Sequence, residues 1–342
     1  MKLIQALVHV SNLWSDPEIP SRSVATMRTL AADNRFTEEA IAFAVNQQLS
    51  LLNESRLEKW ANEFESTGMK SIGVLNPGNI PFVELQDLVA TLISGHRYLG
   101  SISSKTPFLL QAFLDDLLVE ARGLPAALLE ADQVIASCDR LIASGSDSVM
   151  QHVLSKAEEA ELPRDACWLR GHRYSVAVLD GRERNEALLD LAEDALLHEG
   201  MGCRSVALVF APKGMDIDPV LDAFATYRGL FPAHSSTRGA LKMQRAFLKA
   251  VSTPHAFADD DQFLISRGEA EAQLPGHVRW VEYESLVAVE SWLDESKDHI
   301  QCVFSDGSLR QEHDAWQALG TAQRPALDWE PDGRSHASFL SF

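Results

Sequence analysis

The order strand, short loop, amphipathic helix recurs three times in succession in the first half of the chain, and this limits the fold more than any other feature. Ser71-Ile72-Gly73-Val74-Leu75 has the length and apolar character of a buried strand. Asn76-Pro77-Gly78-Asn79-Ile80-Pro81 ends it, and Leu85, Leu88, Val89, Leu92 and Ile93 then share one side of a helix stopped by Gly95. Residues 98–103 repeat the strand, followed by Ser104-Lys105-Thr106-Pro107, where Thr106 reads as a cap and Pro107 as the first position of a helix to Glu120. A third unit runs from strand 140–143 through Ser144-Gly145-Ser146-Asp147 into a helix over 148–161. Successive units of this kind predict a doubly wound α/β domain with a parallel sheet, because parallel neighbours need a crossover helix between them. Ligands of such sheets bind at the carboxyl ends of the strands, which is where these three loops fall.

The flanking segments are less informative. Residues 1–70 are helical in pattern: Thr37-Glu38-Glu39 opens a helix over 40–52, and the apolar periodicity resumes over 57–64. No chemistry attaches to them. After Leu162-Pro163, residues 174–181 read as a strand and turn. Leu188, Leu191, Ala192, Ala195 and Leu196 form a helix that Asn185 is placed to cap and Gly200 to stop. Residues 206–210 are a second buried strand, 221–224 and 241–251 are helices, and 278–283 and 300–304 are strands. The reading divides the chain into N-terminal helices plus a nucleotide-binding α/β domain (1–170) and a second α/β domain (171–310). An irregular tail (311–342) either docks back on the body or meets another subunit.

Composition narrows the function. With 46% hydrophobic and 23% charged residues in 342, the chain is globular, and no apolar run approaches the roughly 18 residues of a membrane span. The start lacks a cleavable leader pattern, so a cytoplasmic protein is expected. The net charge of -19 argues against nucleic acid, and it forces any phosphate-bearing ligand to find a local basic patch among Lys105, Arg170, His172, Arg173 and Arg204. Cys138, Cys167, Cys203 and Cys302 lie far apart, with no CxxC, and the histidines are scattered, so neither a disulfide framework nor a metal site is expected.

Cys203 sits in Gly200-Met201-Gly202-Cys203-Arg204-Ser205, between helix and strand. It is either a small buried hydrophobe or a nucleophile whose thiolate Arg204 favours and whose glycines on both approach positions, Gly200 and Gly202, leave backbone N–H groups for an oxyanion. Asn79 is either the cap of the helix after it or an oxyanion donor. Lys105 is either a solvated charge or a contact for ribose or phosphate. The Gly145-Ser146 loop, without a GxGxxG pattern, is a weak cofactor signal by itself.

Taken together, GVLNPGNIPF from Gly73, LISGHRYLGSISSK from Leu92, ASGSD from Ala143, and RYSVAVLDG followed by HEGMGCRSVALVFAPK resemble the LuxC-type bacterial acyl-CoA reductases of the aldehyde dehydrogenase superfamily. The resemblance covers residues 73–213 and thins at both ends. It implies an aldehyde-dehydrogenase-like fold of two Rossmann-type α/β domains with parallel-sheet cores. It also implies NADPH-dependent reduction of an acyl-CoA or acyl-protein thioester to an aldehyde. In that likeness Cys203 is the acylated nucleophile, with Gly202 and Arg204 beside the substrate, and Asn79 is the oxyanion amide. Ser104 and Lys105 meet the adenosine ribose, and Gly145 and Ser146 lie near the nicotinamide. The general-base glutamate of the hydrolytic relatives has no counterpart in Trp168-Leu169-Arg170-Gly171-His172-Arg173, and a thioester that is reduced needs no base to activate water. An acyl-phosphate reductase, an aldehyde dehydrogenase, and a non-catalytic partner of an acyl-activating enzyme are the alternatives. An acyl-activating partner and a homo-oligomer are compatible with the sequence.

Overall fold

The computed structural model describes residues 3–65 and 68–341, which form two compact units: one of residues up to His172 together with those from Ala326 on, the other Arg173–Pro325.

The first unit begins with helices α1 (Leu3–Trp14), α2 (Pro20–Leu30), α3 (Glu38–Leu51) and α4 (Glu54–Ala61). Thr37 caps α3 as its sequence predicts, its hydroxyl accepting from the Ala40 N–H at 3.2 Å. The alternating layer follows as β1 (Ser71–Leu75), α5 (Leu85–Ile93), β2 (Arg97–Ser101), α6 (Leu109–Glu120), β3 (Ala126–Leu128), α7 (Ala131–Ser137), β4 (Arg140–Ser144), α8 (Asp147–Glu159) and β5 (Cys167–Arg170). The sheet is wholly parallel in the order β3-β2-β1-β4-β5. The chain leaves β1 towards β2 and leaves β4 towards β5, in opposite directions, so the loops after β1 and β4 part and open a crevice at the carboxyl edge. One face packs Leu99, Val134, Leu141, Met150 and Val153 into a core beneath α7 and α8. β3 and β5 are short and half-buried, with no β-branched residue, and so carry no strand signal.

The second unit contains β6 (Tyr174–Val178), α9 (Asn185–Leu196), β7 (Val206–Pro212), α10 (Asp218–Leu230), α11 (Ser235–Ala250), β8 (His255–Phe257), β9 (Leu264–Arg267), β10 (His277–Tyr283), α12 (Leu286–Ser296), β11 (Ile300–Ser305), α13 (Gly307–Glu312) and β12 (Gln317–Ala318). Its sheet runs β12-β11-β6-β7-β10-β9-β8. All neighbours are parallel but for one correction to the expected parallel core: β8 and β9 pair antiparallel at the edge. Six residues separate them, too few for the crossover that a parallel pair requires. Val176, Val178, Leu208, Phe210 and Val289 fill the centre. A final helix, α14 (His336–Leu340), belongs to the first unit, where Phe339 is fully buried and its carbonyl accepts from Arg140 Nη1 at 2.6 Å.

Candidate functional site

Five of the residues singled out in the sequence lie on one edge of the first unit. Asn79 follows β1, Ser104 and Lys105 follow β2, and Gly145 and Ser146 follow β4. The first two of these loops touch. A Cβ on Gly78 would collide with the Ser103 side chain and lie 3.1 Å from the Lys105 Cβ, so the residue before Asn79 has to be glycine for the loops to close on each other. Lys105 and Ser104 are exposed, and the Lys105 carbonyl accepts from Asn34 Nδ2 at 3.0 Å. Asn34, in the helical segment to which the sequence assigned no chemistry, therefore fastens this loop. Ser146 caps α8, its hydroxyl accepting from the Val149 N–H at 3.4 Å.

Between the ends of β2 and β3 lies a cavity of about 410 Å³ lined by Ser101, Gln111, Leu128, Leu129, Glu130 and Gln133 among others. It is of the size that holds a nucleoside rather than a whole dinucleotide. None of its lining residues was singled out in the sequence, because Gln111, Glu130 and Gln133 read locally as surface helix positions.

Asn79 does not cap the following helix. α5 starts six residues later with Glu84 in the cap position. The segment between is pinned by Phe82, which is fully buried with a left-handed φ of 60°. Its ring stacks on Trp14 (centroids 5.8 Å, planes 9° apart) and meets Phe113 edge-on at 5.4 Å. A bulky residue in this backbone region costs about 1–3 kcal/mol, which the aromatic cluster offsets. Phe82→Ala is expected to cost about 3–5 kcal/mol in denaturant unfolding. A loss under about 1 kcal/mol would mean that the cluster does not anchor the loop.

At the base of β1, Asn76 Nδ2 donates to Tyr98 Oη at 2.9 Å and to the Ser101 carbonyl at 2.8 Å. Arg170 departs from expectation. At the end of β5 its guanidinium makes a two-pronged ion pair with Asp87, at 2.7 and 3.1 Å. His336 Nε2 lies 2.7 Å from the same carboxylate. Burial alone would raise the Asp87 carboxyl, but the Arg170 charge and the His336 contact outweigh it and hold the group well below the usual range. Arg170 is thus a core cation of the first unit. Arg173 likewise donates to the carbonyls of Lys297 and Ile300. Of the basic patch expected from the sequence, Lys105 after β2 and His172 after β5 stand exposed, the His172 N–H donating to Asp147 Oδ1 at 2.9 Å.

Cys203 lies in the second unit, half-buried, at the amino end of β7. After α9, which starts at Asn185 with Arg184 in the cap position, the chain reverses through three successive left-handed residues: His198 (φ 54°), Glu199 (φ 59°) and Gly200 (φ 70°). A Cβ at Gly200 would meet the Ala195 carbonyl at 2.9 Å, so the stop predicted there is enforced by backbone approach. Glu199 is held in this conformation by buried Arg228 at 3.5 Å and by the His234 N–H at 3.3 Å.

The turn that carries Cys203 is fixed from behind. Ser175 Oγ donates to the Cys203 carbonyl at 3.0 Å and accepts from the Cys302 N–H at 3.1 Å. Gly202 N–H donates to Ser205 Oγ at 3.2 Å, so this glycine's donor closes the turn and is not the open oxyanion donor that the sequence suggested. Gln323 Nε2 donates to Ser205 Oγ and to the Asp194 carbonyl.

Arg204, expected to favour the thiolate and meet substrate, is 6% exposed. Its guanidinium bonds to the carbonyls of Ala322 and Thr321 and to Gln317 Oε1, and lies 3.1 Å from Cys302 Sγ. These bonds fasten segment 317–322 to the turn. Asp194 does the same from α9, its two oxygens accepting from the N–H groups of Gly320 and Ala322 at 2.7 and 2.9 Å. Asp194→Asn would aim an amide NH2 at one of those N–H groups. It is expected to cost about 1–3 kcal/mol, measured by chemical denaturation.

No protein-family model and no curated protein matches the sequence. The fold does find counterparts among solved structures. A succinic semialdehyde dehydrogenase from Streptococcus pyogenes, in complex with NADP+ as the cofactor, matches with TM-score 0.67 at 15% identity over 91% of this chain and 77% of that one. An NAD+ complex of an aldehyde dehydrogenase from Bacillus cereus matches with TM-score 0.67 at 13% identity, over 92% and 74% of the two chains. The chain has the aldehyde dehydrogenase fold. An oxidoreductase from Marinobacter aquaeolei gives TM-score 0.74 at 13% identity over 98% of this chain and 81% of its own. The α/β architecture expected from the three strand-loop-helix units is the one observed, with a parallel five-stranded sheet and a mixed seven-stranded one as the sheets of the aldehyde dehydrogenase fold.

Proposed function

We propose that this protein reduces an acyl thioester, acyl-CoA or acyl-protein, to the aldehyde through an acyl-Cys203 intermediate, as the LuxC-type resemblance implies. The observation that carries the reading is the Cys203 turn: a half-buried thiol on an aldehyde dehydrogenase fold, held by Ser175, Ser205 and Gln323 rather than packed as a core residue. Fixing a nucleophile before substrate arrives is what covalent catalysis requires.

The loops at the carboxyl edge of the first sheet fit a nicotinamide dinucleotide. They offer a nucleoside-sized cavity, the capped amino end of α8 beside Gly145, and an exposed Lys105 for a phosphate or ribose. Solved neighbours of the fold carry NADP+ and NAD+. Glu130 in the cavity lining would repel a 2′-phosphate placed against it, whereas Lys105 would attract one, so NADPH is proposed together with its comparison against NADH.

In the proposed reaction the Cys203 thiolate attacks the acyl carbon while the Cys203 N–H and the Asn79 amide stabilise the oxyanion. Collapse breaks the carbon–sulfur bond to CoA, which departs as a thiolate. The hydride would come from NADPH held by the loops of the first unit. Cys203 is then expelled as thiolate from the thiohemiacetal, and the aldehyde is released. The stretch 168–173 provides no carboxylate to activate water, which protects the thioester from hydrolysis. A cytoplasmic setting, an acyl-activating enzyme as supplier and self-association belong to the same reading.

The test is to incubate the protein with acyl-CoAs, an acyl phosphate and an aldehyde, each with NADPH and with NADH, following nucleotide absorbance and the mass of the Cys203 peptide. Acylation from the CoA ester and consumption of reduced nucleotide are expected. Oxidation of the aldehyde, with no acyl adduct from the thioester, would replace this reading by an aldehyde dehydrogenase.

A further inference from the structure

Glu84 and Thr106 end the loops that carry Asn79 and Lys105; the sequence assigns Glu84 no role and Thr106 only that of a helix cap. Thr106, predicted to cap the helix after it, does not: α6 starts at Leu109 with Phe108 in the cap position. Its hydroxyl turns inward and donates to Glu84 Oε1 at 2.5 Å. Both residues are buried, Thr106 fully and Glu84 at 1% exposure, and the second Glu84 oxygen is buried without a hydrogen-bond partner. The bond crosses from the amino end of α5 to the segment after β2. There Gly78 already packs against Ser103 and Lys105, and Asn76 bonds to the Ser101 carbonyl.

The Thr106 hydroxyl is the side chain that stabilises a charge on Glu84, and the other groups facing it do not add to that. Asp87 on α5 is anionic, with its compensation from Arg170 and His336 directed at itself, and the Tyr98 hydroxyl on β2 accepts from Asn76 Nδ2. Burial, reinforced by Asp87, therefore pushes the Glu84 carboxyl up to about 7 in spite of the Thr106 bond. Protonated, the acid keeps an acceptor for Thr106. Ionised, it adds a second buried anion beneath both loops.

We propose that the Glu84–Thr106 hydrogen bond is the positioning contact that keeps the Asn79 loop and the Ser104–Lys105 loop in register for a nucleotide, and that both loops open towards water when Glu84 loses its proton, because one hydroxyl donor does not replace the hydration that the buried anion lacks. The inference rests on reading these loops as cofactor-binding, and a ligand-free measurement separates the two. The folded carboxyl titrates above its ordinary 4.5, so its contribution to stability is present below that value and is lost as pH rises through about 7.

The experiment is hydrogen exchange over residues 76–84 and 101–107 in the free protein, corrected for intrinsic rates, with NADPH affinity followed by fluorescence in parallel. Wild type should lose protection in both loops, and NADPH affinity, by about tenfold between about pH 6 and about pH 8. Glu84→Gln should show neither slope. Thr106→Ser should behave as wild type, and Thr106→Val should sit about tenfold lower at every pH while still unfolding cooperatively. An unchanged pH slope in Glu84→Gln, or full protection in Thr106→Val, overturns the proposal. Exchange as expected with no NADPH binding in any variant keeps the contact and removes the cofactor reading.

Discussion

Cys203→Ala is expected to abolish acylation by acyl-CoA and to lower thioester reduction by at least about 10⁴-fold, because alanine offers no lone pair to the acyl carbon. The fold should survive the change. Bonds to the Cys203 carbonyl and through Gly202, Ser205 and Gln323 hold the turn and remain in the variant. NADPH affinity and the unfolding midpoint should therefore match wild type. Cys302 supplies the control: it is buried, and burial raises its thiol despite the Arg204 guanidinium 3.1 Å away. Mass mapping should place the acyl group on the Cys203 peptide and none on the Cys302 peptide. Labelling that persists in Cys203→Ala would assign the chemistry to another residue.

Asn79→Ala is expected to reduce turnover by about 100-fold or more with little change in stability. A helix cap would show the opposite pattern, losing about 1 kcal/mol of stability with the rate per folded molecule intact. The structure places Glu84, not Asn79, in the cap position of α5, and the Phe82 cluster anchors the segment between them. Asn79→Asp sharpens the measurement, since a carboxylate of nearly the same shape would repel the oxyanion and should be at least as slow as the alanine variant. Turnover near wild type in both variants would remove Asn79 from the chemistry.

The candidate loops were legible in the sequence because each follows an apolar strand and precedes a periodic helix, and both signals are local. β1 and β4 were found within a residue of their ends, and the glycine-flanked cysteine stood out between α9 and β7. What each polar side chain does was far less legible. Thr106 has the sequence of a helix cap and lacks that role, because a buried carboxylate offers its hydroxyl a stronger partner than an exposed N–H. Arg204 has the position of an activating cation but is the tether of a loop more than a hundred residues onward, and Arg170 pairs with a carboxylate 83 residues before it.

By itself, then, the sequence determined the three strand-loop-helix units, the α/β class and the places where ligand loops can form. Hydrophobic periodicity, glycine and proline act within a few residues and need no knowledge of the rest of the chain. Tertiary structure alone decided which charges face outward and which are locked inside. A buried arginine or glutamate settles where distant carboxylates, carbonyls and hydroxyls compensate its lost hydration, and those partners are chosen by the packing of the units and not by neighbours along the chain.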